Sequence, residues 1–153
     1  MRLSFTVDIW SDPETVFSWI ADPDMALIWM TSVAGGEIID RRAGVVGTTF
    51  RGWVEEDEGG IEMLGSITAF EPNRRISFRL ANLVNERDVE YRIDEVGGCV
   101  RLTATSDVRW KFPVNLVSPF VGRAVKRRIV DRSNEEFAWL KQLCEESQAR
   151  QAF

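Results

Sequence analysis

No histidine occurs anywhere in the chain. Its absence removes the commonest general base, the commonest metal ligand and every Ser-His or Cys-His nucleophile arrangement. Cysteine is nearly absent too: Cys99 and Cys144 are the only two. They match no metal-ligand spacing, have no activating neighbour in the sequence, and read as reduced thiols in a cytoplasm. A zinc site would have to be built mostly from carboxylates, which zinc seldom uses alone, so no metal and no cofactor is expected. Nowhere do the roughly 18 consecutive apolar residues of a membrane span occur. The first ten residues alternate in polarity instead of placing a charged region before an apolar block, so no signal peptide is read and a cytoplasmic location is expected. Positive charge is in deficit, with a net charge of −5 and a pI near 4.9. That argues against a nucleic-acid or anionic-membrane partner, both of which are bound through a positive surface.

What is present is apolar and patterned. With 44% hydrophobic residues in 153, the chain is of single-domain size (1–153) and long enough to bury about 68–70% of its unfolded surface. Leu3, Phe5, Val7 and Ile9 alternate with polar residues, the period-2 pattern of a half-buried strand. Ser11 to Glu14 reads as a capping box opening a short helix with Val16, Phe17 and Ile20 on its apolar face. Asp22-Pro23 starts a second short helix, through about Trp29. From Glu37 to Trp110, turn residues divide the chain into six strands, near 36–42, 46–55, 60–71, 74–81, 86–94 and 98–110. Short connections imply antiparallel pairing. Alternation points Ile76, Phe78 and Leu80, then Val89, Tyr91 and Ile93, then Val100, Leu102, Ala104, Ser106 and Val108 inward.

The chain closes on one long helix, from Ser118 as cap, with Pro119 at the first helical position, to about Ser147. At 100° per residue Val121, Val125, Ile129, Ser133, Phe137, Trp139, Leu140, Leu143 and Cys144 form one apolar stripe. The result is an α+β order: strand, two short helices, six strands and a long helix.

That order resembles the START-like superfamily, the polyketide cyclase/dehydrase and lipid transport group, which has a helix-grip fold. The residues carrying the resemblance are Pro13 to Phe17, Asp22-Pro23-Asp24, Trp29, Gly47 to Phe50, Gly65 to Pro72 and Arg74 to Phe78. They cover nearly the whole chain. The resemblance implies a seven-stranded antiparallel sheet curved around the C-terminal helix. It also implies a range of functions, since members include lipid carriers, hormone receptors, aromatic polyketide cyclases and co-chaperone-like proteins.

Strand parity and the helix stripe give the candidate interior of a ligand cavity between the sheet and residues 118 to 130: Phe50, Met63, Phe78, Tyr91, Trp110, Phe112, Val121 and Val125, with Trp29 and Met30 near its entrance. Plain core packing is the alternative for each. Polar groups expected inside are Tyr91, Ser106, Ser133 and Glu136. Glu136 is read either as the partner of Arg132 in an i,i+4 ion pair or as a buried carboxylate of raised pKa. Arg128 and Arg132 form one cationic flank of the stripe, and Arg123, Lys126 and Arg127 the other. The flanks are solvated helix edges or a rim meeting the head of an amphiphile. Three functions follow. The first is a carrier of a hydrophobic or amphiphilic small molecule, as a monomer or homodimer. The second is a cyclase or dehydratase using Tyr91, Ser106 and Glu136. The third is a protein-interaction module.

Overall fold

The computed structural model describes residues 1–54 and 61–151; the side chains of residues 114, 115, 117–121 and 151 lie outside that description, as does the turn expected at 57–60. The chain runs β1 (Arg2–Ile9), α1 (Pro13–Ala21), α2 (Pro23–Trp29), β2 (Val33–Asp40), β3 (Thr49–Val54), β4 (Ile61–Glu71), β5 (Arg75–Ala81), β6 (Asn85–Val96), β7 (Cys99–Trp110) and α3 (Val114–Gln151). The seven strands form one antiparallel sheet in the order β1-β7-β6-β5-β4-β3-β2. Every connection from β2 to β7 is therefore between neighbours. Only β1 joins out of sequence, pairing with β7 after the chain has crossed the sheet. This is the expected helix-grip fold.

Local chemistry sets the element ends; β2 starts at Val33 instead of 36 and β3 at Thr49 instead of 46, and two helix starts also differ from the sequence reading. The cap of α1 is Asp12, not Ser11: the Asp12 carboxylate accepts from the Thr15 N–H at 2.7 Å, while the Ser11 hydroxyl donates to Gln148 Oε1 on α3. Proline at the first helical position places the cap one residue before it, which here is the aspartate. Asp22 caps α2 as expected, accepting from Asp24 and Met25. The second difference is α3, which starts at Val114, not at Ser118, so Ser118 and Pro119 lie within it. Its start is the turn in which the Leu116 N–H donates to the Pro113 carbonyl. Pro119 therefore falls in the second turn of the helix and marks no boundary here. The β6–β7 hairpin turns on Gly97 and Gly98, both at positive φ, as a two-residue turn matched to strand twist requires.

The core lies at one end of the sheet. Ile9, Val16, Val100, Leu102, Leu140 and Cys144 are at most 1% exposed, where α1 and the C-terminal half of α3 close over β1, β6 and β7. Burial pushes the Cys144 thiol up to about 12, helped by the charges of Glu145 and Asp12, so it behaves as a small apolar side chain. Within the helix stripe, Leu140 and Cys144 are fully buried, but Trp139 sits at the edge, half in solvent, its Nε1 donating to the Ile28 carbonyl. One residue is a 100° step around a helix, enough to carry Trp139 off the buried face.

Candidate functional site

The inner face of the sheet carries a continuous row of aromatic rings. It begins on β3 at Phe50, whose ring packs edge-on to Phe78 on β5 at 6.2 Å, and Phe78 packs edge-on to Tyr91 on β6 at 5.6 Å. Tyr91 meets Trp29 of α2 at 6.2 Å and Phe137 of α3 at 6.4 Å, and Phe5 of β1 closes the row against Phe137 at 5.5 Å. Register explains the first links, since Phe50 stands opposite Gly65, Gly65 opposite Leu80, and Phe78 opposite Val89. Gly65 is glycine for a steric reason: a Cβ there would overlap the Phe50 ring, which lies across it. Edge-to-face contacts of this kind contribute about 0.5–1.5 kcal/mol beyond area burial.

Most of the predicted interior residues face this side of the sheet. Met63 and Tyr91 are buried, and Phe50, Phe78 and Trp110 are partly buried. Two differ. Trp29, expected near an entrance, is 1% exposed within the core, with its indole Nε1 donating to the Trp19 carbonyl at 2.8 Å. Phe112 is 77% exposed on the connection from β7 to α3: strand parity does not carry past Trp110, where the strand stops. Met30 packs at the margin of the core and Val125 is partly buried, while Arg128 and Arg132 are exposed. Val121 lies outside the described side chains.

The polar groups do not gather as a catalytic set. Glu136 Oε1 accepts from the Ser32 N–H at 2.8 Å and from the Thr31 hydroxyl at 3.2 Å. Arg132, one turn earlier, donates to the Thr31 carbonyl at 3.3 Å. The expected ion pair between them is replaced by a shared hold on the loop between α2 and β2, because that loop offers both a donor and an acceptor. Tyr91 is pushed well above the ordinary phenol value, first by burial and then by the charge of Glu136, so at neutral pH it is a hydrogen-bond donor and not a base. Ser106 faces Val89 across the strands and Tyr91 faces Ala104, which makes Ser106 and Tyr91 diagonal neighbours about 7–8 Å apart.

A cavity of about 200 Å³ opens between α3 and the β1–β7 edge of the inner face, lined mainly by Phe5, Val7, Leu102, Ala104, Phe137 and Ala138. Its helix wall is residues 134–141, further along α3 than the 118 to 130 expected. One polar residue on the inner face was missed by the sequence reading. Arg87 alternates with Asn85, Val89 and Tyr91 along β6, so it points inward, opposite Val108 and Leu80. It lies within the strand expected at 86–94, and the parity that points Val89, Tyr91 and Ile93 inward points it inward too.

Residues 1–145 match the model of the polyketide cyclase / dehydrase and lipid transport family. The chain belongs to that family. No curated protein sequence matches it. Among solved structures, the polyketide cyclase/dehydrase and lipid transport chain is similar to the Zhui aromatase/cyclase of a Streptomyces species, at a TM-score of 0.78 and 14% identity over 95% of this chain and 93% of that one. A Thermus thermophilus protein gives 0.77 at 14% identity over 93% and 95%. A START superfamily protein from Mycobacterium smegmatis gives 0.71 at 20% identity over 93% and 98%. At such identities these neighbours establish the shared fold. Among the described residues, no helix of this family member is long and apolar enough to cross a membrane.

Proposed function

We infer that the protein binds an apolar or amphiphilic small molecule between the concave face of its sheet and α3. The observation that carries this reading is the aromatic row Phe50, Phe78 and Tyr91, whose first two rings stand on β3 and β5, strands that do not adjoin β1 and β7, against which α3 chiefly packs. Rings that line a concave wall suit a flat or flexible apolar ligand. The cavity beside Phe137 extends the same apolar wall.

Native mass spectrometry of protein purified from its own cells should reveal a retained apolar molecule. A fluorescent neutral probe, phenylnaphthylamine, should bind the emptied protein and bind Val125→Trp more weakly, since added volume in a packed site costs about 1–3 kcal/mol. Equal affinity in both proteins would place the probe elsewhere and sink the reading. The cyclase or dehydratase alternative draws support from the diagonal pair Tyr91 and Ser106. It requires turnover that Tyr91→Phe abolishes while probe binding survives.

A further inference from the structure

Arginines on the outer face of the sheet stand beside acids. Arg79 Nε donates to Asp88 at 2.8 Å, Arg109 to the other oxygen of Asp88 at 2.8 Å, and Arg101 to Asp8 at 2.8 Å. Arg51 and Arg75 likewise have carboxylates at 2.8 and 3.3 Å from Nε. Arg87 breaks this rule. It lies on the opposite face from its chain neighbours Glu86 and Asp88, its Nε is enclosed, and among the described residues that nitrogen has no hydrogen-bond partner and the guanidinium has no carboxylate within ion-pair distance. Burial alone pushes this guanidinium below its ordinary value. Among the described residues the charge is thus enclosed without a partner, an arrangement that is strongly unfavourable until something supplies one.

We propose that Arg87 is the anchor for the head of the ligand, and that the ligand is an apolar molecule ending in a carboxylate. The planar guanidinium fork matches a carboxylate with two parallel hydrogen bonds, which a neutral head cannot supply. Its place on β6 suits this role: two residues along the same face is Val89, opposite Phe78, and beyond it Tyr91, so a head on Arg87 lays its apolar remainder along the ring row. Trp110 and Asn85 pair at the strand ends next to it, which puts the anchor near the end of the sheet where α3 begins. The proposal rests on the cavity reading above and adds to it the charge of the head.

The test uses phenylnaphthylamine as neutral reporter and two competitors of equal chain length, decanoate and decanol, on the full chain. Wild type should release the probe to both. Arg87→Met should lose about 10- to 100-fold in decanoate affinity, the range for a hydrogen-bonded charged group, while decanol stays within about twofold. Without ligand, Arg87→Met should melt about 2–4 °C higher, because an unpaired enclosed charge has been removed. A lower melting temperature would show that the chain itself satisfies the guanidinium, and would overturn the proposal. So would probe binding in which both competitors weaken equally or neither does, a result that leaves the cavity reading standing. Wild type that binds no probe would remove both. If Arg87→Met fails to fold, Arg87→Lys keeps the charge and loses the fork. It should cost decanoate about tenfold and spare decanol; parity between the two competitors would again count against the anchor.

Discussion

The two ends of the grip are built differently. Where α1 and the last turns of α3 close over β1, β6 and β7, Ile9, Val16, Leu140 and Cys144 have no exposure at all. Toward the start of α3, Phe50, Phe78, Leu80 and Trp110 remain only partly buried, and a cation sits enclosed among them. A side chain is fully buried only when elements meet it from every side. At the clamp α3 meets α1 as well as β1 and β7. One helix thus serves as a clamp at one end and as a roof at the other, and stability and binding should be separable by position.

The largest effect should come from the clamp. Leu140→Ala should cost about 2–5 kcal/mol, the cost of emptying a buried leucine site. In urea the midpoint should fall with the slope unchanged, and probe binding should persist wherever the protein is still folded. Loss of binding in parallel with stability would erase the distinction between the ends.

Gly65→Ala attacks the other end. The new methyl displaces the Phe50 ring, at a cost of about 1–3 kcal/mol for overpacking. Here probe affinity should fall in the folded protein, because the first ring of the row has moved. Unchanged affinity would remove Phe50 from the site.

Glu136→Ala lies between the ends and should behave as structure. The Ser32 N–H loses its acceptor, costing about 1 kcal/mol. For a chain of this size that lowers the melting temperature by about 2–4 °C. If Glu136 were instead an acid–base group, Glu136→Gln would keep the melting temperature and lose turnover.

The smallest effect belongs to the outer face. The Asp88 carboxyl is held below its ordinary value, first by the hydrogen bond from Arg79 and then by that from Arg109, against a partial opposition from desolvation. A depressed folded value means the contribution is complete above the ordinary aspartate value of about 3.9. It is lost as pH falls through the lower folded value. Melting temperature should stay flat from neutral to about pH 4 on this account, then decline, and Asp88→Asn should make that decline shallower by the few tenths of a kcal/mol typical of an exposed pair. Superimposable curves would mean the ladder of charges outside contributes nothing.

The order of elements was legible because it rests on local rules. Period-2 alternation in Val100, Leu102 and Ala104 and turn chemistry at Gly97-Gly98 act within a few residues, and so does the Asp22-Pro23 start of α2. Those readings needed no knowledge of the rest of the chain. The misreadings came where a second segment intervened. Ser11 looks like a cap until Gln148, far along the chain, takes its hydroxyl. Glu136 and Arg132 look like a helix ion pair until the loop after α2 arrives between them.

By itself, then, the sequence determined the type and order of the strands and helices, which side of the central strands is apolar, and the antiparallel pairing of neighbours, since periodicity and short turns leave few alternatives. Only the tertiary structure decided where along α3 the burial is complete, that Trp29 belongs to the core and Phe112 to the surface, and that Arg87, inward by parity, has no acid beside it among the described residues. Burial and pairing are properties of what arrives opposite a residue, and β1, α1 and α3 come from the two ends of the chain.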